Sequence, residues 1–180
     1  MKTLTLLRHA KSGWNDPVAR DFDRPLNAKG RRAAQRVGAY LRDEHISFDH
    51  IIASPAVRVV ETLEHVAEGS GATLAPAWDK RIYLASAMSL LDLIQEGDDN
   101  HDTILLAGHN PGLEELVLML VPDDEADDAR EKVEQKFPTA SIAEIRFPVD
   151  HWGDVRPNGG ELARFVRPRD LDPALGPDTE

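Results

Sequence analysis

Apolar positions along this chain alternate between short runs and longer stretches of helical period. Leu4 to Leu7 is a compact apolar run, which suits a buried strand. Asn27 then stands at a capping position, and Ala33, Val37, Tyr40 and Leu41 follow at helical spacing, which predicts a helix from Ala28 to about Asp43. Phe48 to Ala53 reads as a second strand. Ser54-Pro55 supplies a capping side chain followed by proline at the first helical position. The helix it opens is expected to run to about Glu68 and stop at Gly69-Ser70-Gly71. Thr73 to Ala75 is a weak strand, Ser86 caps a helix through Gln95, and Thr103 to Ala107 is a strong strand. Asn110-Pro111 repeats the cap-plus-proline signal before a helix to about Leu120. This alternation predicts an α/β fold, a three-layer α/β/α arrangement around a mostly parallel central sheet. The pattern then changes. Ala140–Phe147 and Glu161–Val166 read as two strands joined through Pro157-Asn158-Gly159-Gly160, a hairpin added to the sheet.

A chain of 180 residues is the size of one domain, expected here over residues 1–170, with a loose tail over 171–180 that carries Pro173 and Pro177. Charge refines the picture. The formal net charge is −11, which disfavours nucleic acid or an anionic membrane surface as a partner. Yet residues 1–36 hold nine basic and three acidic side chains, a balance of +6 against −17 in the remainder. Within that basic stretch, Arg31, Arg32 and Arg36 fall off the apolar face of their helix and read as solvated. Residues 123–134 carry seven acids against two bases and read as a solvated helix or loop. No cysteine is present, so disulfides, thiolate zinc sites and a cysteine nucleophile are excluded. No apolar run approaches a membrane span, and the short run after Met1 is interrupted at Arg8, so a cytoplasmic location is the expectation.

Ligands of open α/β sheets bind beyond the carboxyl ends of the strands. Three segments follow the three strong strands: Arg8-His9-Ala10-Lys11-Ser12, Ser54-Pro55-Ala56-Val57-Arg58 and Gly108-His109-Asn110-Pro111-Gly112. Together they bring two arginines, two histidines and two helix starts to one edge. Arg58 lies in the first turn of its helix, and helical side chains lean towards the N-terminus, so its guanidinium can reach back over the opening. Two guanidinium forks, an imidazole and free helix-start amides suit the oxygens of a phosphoryl group.

These segments resemble the motifs of the histidine phosphatase superfamily, which includes phosphoglycerate mutases. Leu7-Arg8-His9-Ala10 is similar to its nucleophile motif, Ser54 to Arg58 with Glu61-Thr62 to the second, and Gly108 to Gly112 to the third. Asp23-Arg24-Pro25-Leu26-Asn27 with Gly30, and Phe137-Pro138-Thr139-Ala140, resemble the shorter SixA-type branch of phosphohistidine phosphatases. The resemblance implies that His9 is the nucleophile, that Arg8, Arg58 and His109 bind and stabilise the transferring phosphoryl group, and that Asn15 contacts phosphate. It implies no cofactor, and Asp16, Asp21 and Asp23 lack a convincing metal-ligand spacing. For Lys11 and Arg24 a wider anion field and a solvated rim remain equal readings.

Two departures stand out. Alanine follows His9 where the superfamily usually has glycine, which requires a negative φ there. And Arg81 to Ser86, comparable to the stretch where mutases and many ester phosphatases carry an acid, has no carboxylate; Asp79 just before it more simply pairs with Lys80 and Arg81. Alkoxide leaving groups need a general acid, whereas imidazole leaves more readily. The expectation is therefore dephosphorylation of phosphohistidine in a histidine phosphotransfer protein. A small-molecule phosphomonoesterase and an idle phosphoprotein-binding module remain alternatives. For Tyr83, assistance to the leaving group is one reading and core packing the favoured one.

Overall fold

In the computed structural model the described residues are 1–13 and 20–176. Six strands form one sheet: β1 (Lys2–Arg8), β2 (His50–Ala53), β3 (Ala77–Trp78), β4 (Thr103–Gly108), β5 (Ile142–Phe147) and β6 (Glu161–Val166), ordered β3-β2-β4-β1-β5-β6. Pairings among β3, β2, β4 and β1 are parallel, and β5 and β6 add the antiparallel hairpin. The helices are α1 (Ala28–Asp43), α2 (Val57–Ser70), α3 (Ala87–Gln95), α4 (Gly112–Leu120), α5 (Asp128–Gln135) and α6 (Pro168–Leu171).

Strand alternation builds the three layers. Leu4, Leu6, Ile104 and Leu106 pack towards α3, α4 and α5, whereas Leu7, Leu105 and Ala107 pack towards α1 and α2. Both central strands thus bury residues on both faces, as a covered parallel sheet requires, with Thr5 the polar member among them. Asn27 caps α1 by accepting from the Gly30 amide, and Ser86 caps α3 through the Ser89 amide. Gly30 is needed where α1 crosses the loop after β1, because a Cβ there would lie 2.1 Å from the Lys11 carbonyl oxygen.

Three expectations change. The third strand lies at Ala77–Trp78 rather than Thr73–Ala75, because a two-residue edge strand is set by pairing with Ile52 and Ala53 rather than by local propensity. α2 begins at Val57, with Ala56 extended before it, so Ser54 does not cap it. The acidic segment agrees with the solvated-helix reading, its carboxylates mostly exposed on and before α5, while Arg130 within it is buried and donates to the carbonyls of Val121 (3.0 Å) and Leu118 (3.1 Å). Of the segment expected as a loose tail, the described part, 171–176, folds back: Leu171 and Leu175 pack on the α1–α2 layer, and Lys29 Nζ donates to the Gly176 carbonyl at 2.7 Å. No helix among the described residues is long and apolar enough to cross a membrane.

Candidate active site

β1, β2 and β4 are parallel, so their carboxyl ends share one edge, and Arg8, His9, Ser54 and His109 follow directly from them. His9 and His109 are brought together with ring centroids 5.4 Å apart. His9, Arg58 and His109 are all buried, at 7%, 5% and 8% exposure.

His9 Nδ1 lies 2.7 Å from the Ala10 carbonyl oxygen. A carbonyl only accepts, so Nδ1 carries the proton and donates it. Burial, reinforced by the charges of Arg8, His109 and Arg58, lowers the His9 pKa to about 3. The ring is therefore neutral near pH 7 with its lone pair on Nε2. Ala10 is not among the residues with positive φ, so alanine is accommodated there.

The imidazole is held from both sides of the backbone. Thr62 Oγ1 accepts from the Ala10 amide at 2.9 Å and donates to the Arg58 carbonyl at 2.6 Å, tying the residue after His9 to the first turn of α2. Ala140, at φ 58°, points its amide at the carbonyl oxygens of Arg8 and His9, both at 3.0 Å. This non-glycine residue in the left-handed region is kept there by its buried place against the site.

Arg8 Nη1 donates to the Phe137 carbonyl at 3.0 Å, and Asn110 Nδ2 reaches the same oxygen at 2.9 Å. Asn110 Oδ1 also accepts from the Glu114 amide at the start of α4. Burial lowers the Arg8 pKa from its ordinary value, and nearby Glu114 opposes the shift. His109 Nε2 is 2.8 Å from Ser54 Oγ, while its buried Nδ1 has no partner. Burial first, then the charge of Arg58, lowers the His109 pKa to about 4.

Arg58 donates through Nη1 to the Asp21 carbonyl (2.7 Å) and through Nη2 to Asp21 Oδ2 (3.1 Å), leaving its buried Nε without a partner. Tyr83 Oη donates to the same Oδ2 at 2.6 Å, and Arg24 pairs with Oδ1 at 3.1 Å. The Tyr83 hydrogen bond, followed by the charges of Arg58 and Arg24, holds the Asp21 carboxyl below the usual range. Tyr83 is thus a polar partner of the site as well as a packing residue, its ring edge-on to His109 at 5.4 Å. Sequence reasoning missed Asp21, Thr62 and the Phe137 carbonyl as site supports. Asp79 is held by Arg81, with Oδ2 2.8 Å from Nη2. Asn15 lies outside the described residues. Among the described residues no cluster of three His, Asp or Glu side chains could hold a metal.

Arginines and histidines arranged about a neutral imidazole with a free nitrogen are the signature expected of one family. The model of the histidine phosphatase superfamily (branch 1) matches residues 4–81, which carry His9 and Arg58. The chain belongs to the histidine phosphatase superfamily. An uncharacterised protein of Mycobacterium tuberculosis is 36% identical over 164 residues, spanning 91% of this chain and all of that one. A structure assigned as phosphohistidine phosphatase SixA from Nakamurella multipartitia superposes with a TM-score of 0.79 at 26% identity, covering 93% of this chain and 96% of that one. Its counterpart from Agrobacterium tumefaciens gives 0.75 at 26% identity, covering 92% and 97%. Within the superfamily the likeness is thus to the SixA-type phosphatases, and the three-layer fold is theirs.

Proposed function

We propose that this phosphatase removes the phosphoryl group from phosphohistidine in a phosphotransfer protein, using His9 as nucleophile. The observation that carries the reading is the His9 ring itself: neutral, its Nδ1–H committed to the Ala10 carbonyl, with the Nε2 lone pair left for attack. In the first step Nε2 attacks phosphorus and the bond from phosphorus to the substrate ring breaks; that ring, already protonated on its other nitrogen, leaves as neutral imidazole. In the second step water attacks the phosphohistidine, releasing inorganic phosphate and restoring His9.

Arg8, Arg58 and His109 stabilise the charge on the equatorial oxygens during both steps. The partnerless Nε of Arg58 and Nδ1 of His109 are donor positions of the kind a phosphoryl oxygen completes. Asn15 is proposed as a further phosphate contact. The charges required come from side chains, so the reading asks for no metal.

The leaving group follows from the carboxylate census. Asp21 accepts from Arg58 and Tyr83 and pairs with Arg24, which keeps it ionised, so it is unsuited to protonating an alkoxide. That supports a phosphoramidate over an alkyl phosphate ester. The test is a side-by-side rate on a phosphorylated histidine phosphotransfer domain, para-nitrophenyl phosphate and a panel of sugar phosphates. Fastest turnover is expected on the phosphotransfer domain. Turnover of a sugar phosphate with none of the phosphotransfer domain contradicts the reading.

A further inference from the structure

Each histidine of the site has one ring nitrogen held by the protein and one left open, and the two rings are held by opposite nitrogens. His9 commits Nδ1–H to the Ala10 carbonyl and keeps Nε2 open. In His109 the held nitrogen is Nε2, 2.8 Å from Ser54 Oγ, and the buried Nδ1 has no partner. A neutral imidazole carries one proton. The direction of the Ser54–His109 hydrogen bond therefore decides whether Nδ1 offers a proton or a lone pair.

The Ser54 hydroxyl sets that direction. Ser54 is wholly buried, at 0% exposure, so its proton needs an acceptor inside the protein. Oγ accepts from the Ala56 amide at 3.3 Å, and the other polar atom it meets among the described residues is His109 Nε2. The proton goes to Nε2. The opposite direction, Nε2–H donating to Oγ, strands the hydroxyl proton in the interior and leaves a lone pair at Nδ1. Thr62, further along α2, follows the same rule: Oγ1 accepts from the Ala10 amide at 2.9 Å and passes its own proton on, there to the Arg58 carbonyl at 2.6 Å. Burial and the charge of Arg58 keep the His109 ring neutral, so Nε2 stays free to accept.

We propose that Ser54 is a positioning residue: its hydroxyl donates to Nε2 and fixes His109 as the Nδ1–H tautomer, so that His109 meets the phosphoryl oxygens with a proton. The inference rests on the phosphatase reading, and it explains how a neutral His109 serves as a donor there. Two neutral imidazoles with ring centroids 5.4 Å apart then carry the same tautomer with opposite nitrogens open. The carbonyl behind His9 engages its proton and leaves a lone pair for phosphorus. The hydroxyl behind His109 engages its lone pair and leaves a proton for oxygen. A lone pair at Nδ1 would repel an oxygen that carries negative charge, and one stabilising donor would be lost.

The test uses protein labelled with heavy nitrogen in its histidines. Long-range proton–nitrogen correlations tell a protonated ring nitrogen from a bare one, and the His109 signals are those lost in His109→Gln. In the wild-type protein near neutral pH, His109 is expected with Nδ1 protonated and Nε2 bare, and saturating inorganic phosphate is expected to shift the Nδ1 signal. Ser54→Ala is expected to lose the single tautomer and show protonation at Nε2. Its kcat falls about 10- to 100-fold while KM changes by less than about threefold, because the donor acts most as charge builds in the transition state. Nε2 protonated in the wild-type ring, an Nδ1 signal unmoved by phosphate, or a Ser54→Ala protein with tautomer or kcat unchanged overturns the proposal. The wild-type spectra decide it even where Ser54→Ala does not fold. Separately, wild-type protein that fails to release phosphate from a phosphohistidine peptide overturns the phosphatase reading and leaves the tautomer assignment to stand on the spectra.

Discussion

Two arginines of this molecule are buried to nearly the same degree, yet their donors are used very differently. Arg130 is 6% exposed and Arg58 is 5% exposed. Arg130 spends every part of its guanidinium on the protein. Nε goes to the Val121 carbonyl, Nη1 to Asp123 and Glu134, and Nη2 to the Leu118 carbonyl. Arg58 holds Asp21 through its two terminal nitrogens, and its Nε meets nothing. A buried donor without a partner is costly, and beside the proposed nucleophile an incoming phosphoryl oxygen would complete it. Burial alone does not separate the two; donor use together with place does, because Arg58 stands at the strand ends with His9 and His109, whereas Arg164, whose Nε is likewise without a hydrogen-bond partner, lies on β6 beside Tyr40 and Glu144.

The sharpest way to break that contrast is to remove each side chain. Arg58→Ala is expected to lower kcat/KM by at least about 100-fold, the scale of losing one preorganised charge donor. Its thermal stability is held or raised, because the cost of desolvating an under-satisfied cation goes with it. Arg130→Ala reverses the pattern. Its exposed carboxylate partners return to water, and the loss of two buried carbonyl acceptors' donor costs about 1–3 kcal/mol in urea unfolding, with kcat/KM unchanged.

The paired histidines sharpen the account by pH. Both folded-state values lie below the ordinary 6.5, at about 3 for His9 and about 4 for His109. Above pH 6.5 both rings are neutral folded or unfolded, so stability is full there. Below it the unfolded chain takes protons that the folded one refuses, and stability falls as pH drops towards these lower values. The slope approaches about 1.4 kcal/mol per pH unit for each histidine. Urea midpoints at pH 7, 5.5 and 4.5 read it, and His9→Gln flattens the slope.

The smallest effect concerns the support of Arg58. Tyr83→Phe removes the 2.6 Å hydrogen bond to Asp21 and leaves the ring against His109. Turnover is expected to fall about two- to tenfold, mainly in kcat, the scale of one hydrogen bond acting through another residue.

The parts of this site carried by single side chains at strand ends were legible in the sequence. Periodicity located β1, β2 and β4, and the residues following them supplied Arg8, His9 and His109, with Arg58 one helical turn beyond. The supports were not legible, because they act through backbone atoms distant in sequence. Nothing local in Phe137-Pro138-Thr139-Ala140 says that the Phe137 carbonyl braces Arg8 or that the Ala140 amide braces both Arg8 and His9. Ser54 shows how a local signal misleads. Ser-Pro reads as a helix cap, but its hydroxyl lies against His109 and the helix starts later. Pro173 and Pro177 suggest a loose end, whereas Leu171 and Leu175 find their apolar partners in the α1–α2 layer, far away in sequence. Tertiary burial decides such segments, and composition does not report it.

The central claim is that phosphate passes through His9. Rapid quench of the protein with a phosphorylated histidine phosphotransfer domain under alkaline conditions, followed by peptide mass spectrometry, tests it directly. The expected result is an acid-labile phosphate on His9 that forms and decays at the rate of turnover and is absent, along with turnover, from His9→Ala. Phosphate on a different residue, or undiminished turnover by His9→Ala, would contradict it.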